Sequence, residues 1–293
     1  MANPCHGLLV IDKPAGITSR AAVDRAQRWF PRRTRIGHTG TLDPLATGVL
    51  VLCIGHATRL AEYVQRMPKT YRAGIILGAR SDTDDADGTL TPVPGATAPR
   101  IDELNAALAT SVGDIAQVPP AFSAAKLTGR RAYDLARRGK DVTLSPRTVS
   151  VYGIDILDYG FPRLEIEVRC GKGTYIRSLA RDLGERLGCG GYIASLRRMR
   201  VGSFETANAL TLDAGPDAAR NALMPMEFAV AELPRRTLSE AEIARVRTGQ
   251  ALPLDDGAAA GDEIALVDEQ GKLIAVGVVD ESQKSVRPVK VMA

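Results

Sequence analysis

The sequence predicts an α/β protein of the α+β kind, with a larger mixed domain over residues 1–231 and a small β-rich domain over 232–293. Two patterns carry that reading. In "RLEIEVRCGKGTYIRSLARDLGERLGCG", Leu164, Ile166, Val168 and Cys170 alternate with charged residues, which marks a half-buried strand. Ile176, Leu179, Ala180, Leu183 and Leu187 then recur at helical spacing, and Gly188 ends the helix. Beyond the proline-marked stretch "ELPRRTLSEAEIARVRTGQAL", itself a boundary and a short helix, the chain turns to hairpins: "EIALVD", a turn at Glu269–Lys272, then "LIAVGVV".

The other elements follow in order. "GLLVIDKPAGITS" reads as a strand, a turn at Pro14 and Gly16, and a helix start capped by Thr18 or Ser19. Ala22, Val23, Ala26 and Trp29 keep helical spacing up to Pro31. Val49 to Ile54 is apolar and β-branched, a buried strand, and "TYRAGIILGA" is another. "SDTDDADG" is a dense acidic turn. An EF-hand calcium loop counted from Asp82 would need Gly and Glu where Asp87 and Val93 stand, so a turn with Asx hydrogen bonds is the better reading. Ile101 to Leu108 reads as a helix. Between Pro119 and Arg147 lie seven basic and two acidic residues, a projecting basic loop-and-helix in which Tyr133 and Leu135 suggest the helix.

Composition narrows the function classes. The net charge is +4 with a sequence pI of about 8.9. Residues 1–231 hold 30 basic and 23 acidic groups, net +7, whereas 232–293 hold 8 and 11, net −3. Thirty of the 38 basic residues are arginine, which suits a polyanion partner because the guanidinium binds phosphate bidentately and stacks on bases. Four scattered cysteines without a CxxC pair, and three histidines, form no zinc pattern. No apolar run approaches a membrane span and the N-terminus lacks a signal-peptide layout, which places the chain in the cytoplasm.

Asp43 is the candidate for chemistry. It is the only acid in "RIGHTGTLDPLATGVLVLCIGHATRL". Asp before Pro reads locally as an N-cap and the first helical position of a short turn. That leaves Gly37, Gly40 and Gly48 unexplained, and glycines allow close backbone approach or positive φ. There is no G-x-S-x-G nucleophile elbow and no phosphate-binding P-loop. A glycosidase-like pair of carboxylates stays open, because the second acid can lie far away in sequence. Arg177 falls in the first turn of its helix, where a cation opposes the dipole by about 0.3–1 kcal/mol, so an anionic partner is expected.

Five blocks then point to one family. "GHTGTLDPLATGVLVLCIGHATRL" resembles the catalytic-aspartate motif of the TruB family of tRNA pseudouridine synthases. "LLVIDKPAGITS", "KTYRAGIILGARSDTDDADG", "VPPAFSAAKLTGRRAYDLARRG" and "CGKGTYIRSLARDLGERLGCGGYIASLRR" resemble, in the family's order, its KPxG block, tyrosine block, RNA-binding thumb and arginine block. The tail is similar, more weakly, to a PUA-type RNA-binding domain. The resemblance implies the pseudouridine synthase fold, a mixed and largely antiparallel sheet flanked by helices. It also implies conversion of uridine to pseudouridine at position 55 of the tRNA T-loop, on a flipped-out nucleotide and without guide RNA, cofactor, metal or obligatory protein partner; a monomer is expected.

Carried over by motif, Asp43 is the catalytic carboxylate and Arg177 its partner, keeping it ionised. Tyr71 packs on the target base and handles a proton. His38 helps hold the splayed bases. Lys13 and Tyr175 support the pocket, and Leu196 is its apolar wall. Lys126, Arg130, Arg131, Arg137 and Arg138 of the thumb (about 119–147) grip T-loop phosphates, contacts that supply affinity rather than sequence choice. Few apolar anchors among many arginines predict a thumb that is mobile without RNA.

Overall fold

The computed structural model describes residues 5–123, 126–127, 130–131, 144–254, 261–282 and 284–292. Its larger sheet has nine strands. Along the main path they run Gly7–Lys13, Thr47–Ile54, Gly191–Val201, Lys69–Leu77, Arg163–Cys170, Arg147–Gly160 and Gly113–Gln117. Ile36–His38 adds to Thr47–Ile54, and Phe204–Glu205 to Gly191–Val201. The pairing of Thr47–Ile54 with Gly191–Val201 is parallel and the others in this sheet are antiparallel, as the mixed sheet requires.

Burial explains the strand patterns. Gly7–Lys13 and Thr47–Ile54 are apolar on both faces because both faces are covered. Leu9, Ile11, Leu50 and Leu52 share a core with Ala22, Val23 and Trp29 of the N-terminal helical segment. Leu8, Val10, Val49 and Val51 face the other way, into a core with Tyr63, Phe204, Val267 and Val276. Arg163–Cys170 alternates instead, with Leu164, Ile166, Val168 and Cys170 buried and its other face largely exposed.

The first helix, Ser19–Ala26, is capped by Thr18, whose Oγ1 accepts from the Ala21 N–H at 3.0 Å, and a 3₁₀ turn carries it on to Trp29. The helix Ile176–Arg186 buries Ile176, Leu179, Ala180 and Leu183 and stops before Gly188, which has a φ of 71°. It packs so closely on the start of the strand Gly191–Val201 that a Cβ at Gly184 would lie 2.1 Å from the Gly190 carbonyl carbon.

A second sheet of five strands is ordered Arg235–Thr237, Glu263–Val267, Leu273–Asp280, Ser285–Val291, Leu252–Pro253. The helix Glu240–Arg247 lies beside it, opened by a capping box in which the Glu242 carboxylate accepts from the Ser239 N–H at 2.9 Å. This sheet is docked on the first. Ala265, Val267, Leu273 and Val276 enter the shared core, and Tyr63 Oη donates to Glu263 Oε1 at 2.7 Å.

Two local readings change. "DPLAT" is not a helical turn. Asp43 to Ala46 form one turn closed by the Ala46 N–H on the Asp43 carbonyl at 3.1 Å, and the chain then enters the strand Thr47–Ile54. At the thumb, Lys126–Leu127 and Arg130–Arg131 pair as a short antiparallel hairpin where a loop was expected. The helix expected around Tyr133 and Leu135, the residues Arg137 and Arg138, and the mobility expected of that stretch lie outside the described residues.

Candidate active site

The segment Thr39–Ala46 connects the strands Ile36–His38 and Thr47–Ile54 and is pinned along its length. The Thr39 N–H donates to the Val51 carbonyl at 3.0 Å. Buried Ser19 clasps Leu42: its Oγ donates to the Leu42 carbonyl at 3.0 Å and accepts from the Leu42 N–H at 2.7 Å. Ser19 therefore serves this loop rather than the helix cap. Lys13, fully buried, donates from Nζ to the carbonyls of Pro14 (2.8 Å), Ile17 (2.7 Å) and Pro44 (3.4 Å). Lys13 thus sits behind the loop as its support. Gly48 has a φ of 99°, and a Cβ there would lie 2.2 Å from the Arg198 carbonyl oxygen, so close approach demands this glycine. Gly37 faces open space, so the free protein's packing does not require it.

From this loop the Asp43 side chain meets Arg177, with Oδ2 at 3.0 Å from Nη2. Arg177 is 4% exposed and spends both terminal nitrogens. Nη1 pairs with Asp85 Oδ2 at 3.1 Å and donates to the Thr83 carbonyl at 2.9 Å, while Nη2 also donates to the Phe122 carbonyl at 2.9 Å. The anionic partner that its place in the helix called for is therefore two carboxylates. Asp85 is itself buried and held by Thr83, whose Oγ1 donates to Asp85 Oδ1 at 2.6 Å. Its neighbour Asp84, at a φ of 62°, pairs with Arg181 one helical turn beyond Arg177, at 2.8 Å.

The acidic turn makes the expected Asx hydrogen bonds, with Asp85 Oδ1 accepting from the Asp87 N–H at 3.1 Å and Asp82 Oδ1 from the Thr89 N–H at 2.8 Å, and is in addition a structural partner of the helix Ile176–Arg186. The signal was partly present: Arg177 needed an anion, and four acids stood close together at Asp82, Asp84, Asp85 and Asp87. Which of them turns inward depends on the left-handed backbone at Asp84 and on the fold around it.

Sharing one guanidinium has an electrostatic consequence. Burial pushes the Asp43 carboxyl above the ordinary carboxylate range. Arg177 and Lys13 pull it down and Asp85 pushes it up again, so burial prevails. The expectation that Arg177 simply keeps Asp43 ionised is modified accordingly: the pair opposes a cost that burial and the second acid impose.

Asp43, Arg177, Tyr71, His38, Tyr175 and Leu196 line one open cavity of about 830 Å³. Tyr71 rises from the strand Lys69–Leu77 and is 9% exposed, and burial pushes its phenol up. Leu196, also 9% exposed, forms apolar wall from the neighbouring strand. Tyr175 is fixed through its backbone. Its N–H donates to Gln117 Oε1 at 2.8 Å, and Gln117 Nε2 donates back to its carbonyl at 3.0 Å.

Three cations that the residue patterns did not assign to the site also line the wall, Lys69, Lys172 and Arg198. Burial lowers both Lys13 and Lys69 to about 8. Of the thumb residues, Lys126, Arg130 and Arg131 are placed by their backbone pairing alone.

A pinned carboxylate facing a buried guanidinium, at a cavity wide enough for a nucleotide, suits covalent or acid–base chemistry at a sugar or base. The fold around it is that of the pseudouridine synthases. The chain superposes on the protein in the crystal structure of a Cbf5-Nop10-Gar1 complex with a TM-score of 0.75 at 27% identity, over 98% of this chain and 85% of that one. It is similar to the same degree to the protein in an H/ACA RNP bound to a substrate RNA containing 2'-deoxyuridine, with a TM-score of 0.74 and 26% identity over 98% and 85% of the two chains.

Residues 28–176 match the model of the TruB family pseudouridylate synthase N-terminal domain, and 177–231 that of the tRNA pseudouridylate synthase B C-terminal domain. The chain is 44% identical over 287 residues to tRNA pseudouridine synthase B of Xanthomonas campestris pv. campestris (strain B100), covering 95% of this chain and 91% of that protein. It is 43% identical over 255 residues to the protein of that name from Dehalococcoides mccartyi (strain CBDB1), covering 85% and 84%. The chain belongs to the TruB family of pseudouridylate synthases.

Proposed function

We propose that this protein isomerises uridine to pseudouridine in tRNA, at position 55 of the T-loop, as a stand-alone enzyme. In that reaction the bond from ribose C1′ to N1 breaks, a bond from C1′ to C5 forms, the C5 proton leaves and N1 ends protonated. The base therefore has to detach, turn and reattach while the ribose stays fixed. The observation that carries the proposal is the Asp43 carboxylate, 3.0 Å from Arg177 on a loop pinned by Ser19 and Lys13, at a cavity of about 830 Å³.

In this reading Asp43 is the nucleophile or base at the uridine, and Arg177 holds its carboxylate in one orientation. A uridine stacked in the loop cannot reach Asp43, so the nucleotide flips into the cavity, where Tyr71 and Leu196 pack on the base. His38 meets the bases displaced beside it. Specificity comes from the shape of the loop and its splayed bases. The thumb residues Lys126, Arg130, Arg131, Arg137 and Arg138 hold phosphates, and residues 232–293 form a separate PUA-like RNA-binding domain that adds a weaker contact. The enzyme works as a cytoplasmic monomer and uses no guide RNA. Identities of 44% to tRNA pseudouridine synthase B, against 27% to the Cbf5 chain, support the stand-alone reading.

The test is release of tritium from tRNA carrying 5-tritiated uridine by the purified protein, with no other protein or RNA added. Stoichiometric release, with pseudouridine at one T-loop position, is expected. No release by the folded protein would overturn the proposal.

A further inference from the structure

Arg198 is a second buried arginine at the cavity, 3% exposed, and among the described residues it is paired with no carboxylate. On the strand Gly191–Val201 it is the register partner of Tyr71 on one side and of Gly48 on the other. Its Nε donates to the Val49 carbonyl at 2.7 Å and its Nη2 to the Gly40 carbonyl at 3.1 Å. The positive charge of the same guanidinium, beside its register partner Tyr71, pulls the phenol down against the push of burial. One side chain therefore ties the start of the Asp43 loop to the strand that follows it, beside its register partner Tyr71.

We infer that Arg198 is a positioning residue for the isomerisation: it presets the Gly40 end of the Asp43 loop against the strand Thr47–Ile54 and sets its charge beside Tyr71. This inference rests on the proposed function, and its geometry is independent of it. The planar guanidinium reaches the Gly40 and Val49 carbonyls together, one on each side of the Asp43 loop. Lysine supplies the charge but not the planar fork that reaches several acceptors from one position. The loop side of the clamp matters because Gly40 lies three residues before Asp43, and a misplacement of about 1 Å at a reacting group costs about 10²-fold in rate.

The experiment compares wild type with Arg198→Met and Arg198→Lys in two measurements. The first is kcat and KM on tRNA. Arg198→Met is expected to lose about 10²-fold in kcat with KM changed by no more than about threefold, and Arg198→Lys to stay about tenfold below wild type because the charge alone does not rebuild the fork. The second is a pH titration of the Tyr71 ring carbon resonance in protein labelled with 13C at tyrosine Cζ, which needs no RNA and no activity. Arg198 opposes the upward push of burial on this phenol, so its removal is expected to move the titration to higher pH.

Wild-type kcat in either variant, or an unmoved Tyr71 titration, overturns the inference. If Arg198→Met does not fold, the kcat of Arg198→Lys decides, and the titration is taken on Arg198→Gln. If wild-type protein is inactive on tRNA, the function falls while the tyrosine titration still judges the clamp.

Discussion

The Arg177 guanidinium lies 3.0 Å from the Asp43 carboxylate and 3.1 Å from that of Asp85, so one buried cation serves both acids. Removing it strands two carboxylates. Arg177→Met is expected to cost about 3–5 kcal/mol of stability, the usual penalty for breaking a buried ion pair from one side. Its kcat on tRNA is expected to fall at least about 10²-fold, since Asp43 loses the group that orients it. Denaturant titration and tritium release measure the two effects; a variant with wild-type kcat would remove Arg177 from the mechanism.

Asp85 gives a prediction about pH. It raises the Asp43 carboxyl by like-charge repulsion. The active form in this account is the carboxylate, so activity falls as pH drops through the Asp43 titration. Asp85→Asn removes the repulsion, and the acid limb of the kcat profile is expected to move to lower pH. The maximal rate is expected to drop as well, because Arg177 loses one of its two carboxylate anchors. A limb that moves to higher pH would contradict the electrostatic reading.

Lys13 is expected to show itself in stability above neutrality. Burial lowers it to about 8, against about 10.4 in an unfolded chain. Between those values the unfolded state binds more protons than the folded one, so stability rises with pH by up to about 1.4 kcal/mol per pH unit from this group. The sign follows from the depressed lysine: its charged form is disfavoured by folding, and the penalty is relieved as pH rises through about 8. Lys13→Met lacks that rise. Unfolding free energies of both proteins between pH 7 and 10, taken as a difference, isolate it; parallel curves would refute the assignment.

Ser19→Ala is expected to loosen the loop without touching the cavity wall. It removes the partner of both the Leu42 N–H and the Leu42 carbonyl in a buried setting, which costs about 1–3 kcal/mol. If the loop is preset in this way, kcat falls more than KM rises. An unchanged kcat in a destabilised variant would show that substrate binding alone can order Thr39–Ala46.

The parts legible in sequence were those set by local pattern or by a contiguous motif. The alternating run Leu164–Cys170, the helical stripe from Ile176 and the hairpins after Glu263 follow directly from which faces are covered. Asp43, Tyr71 and Arg177, singled out through motif resemblance, do line one cavity. What sequence did not reveal depends on contacts far apart in the chain. Asp85 becomes a partner of Arg177 only when the turn after Ala79–Ser81 folds onto a helix some ninety residues later. Arg198 looks like one more arginine in "LRRMR" until the sheet places it beside Gly48 and Tyr71. The N-cap reading of Asp43 failed for a related reason: Leu42 is captured by Ser19 and the chain runs straight into a strand, so no helix begins for Asp43 to cap.

The central claim is that Asp43 performs the chemistry and not merely the folding of its loop. The most direct test is single-turnover tritium release by Asp43→Asn, with tRNA binding measured on the same preparation. Asparagine keeps the size of the side chain and the turn from Asp43 to Ala46, so unimpaired tRNA binding with no detectable release of tritium is the expected result. Release at the wild-type rate by Asp43→Asn would contradict the account.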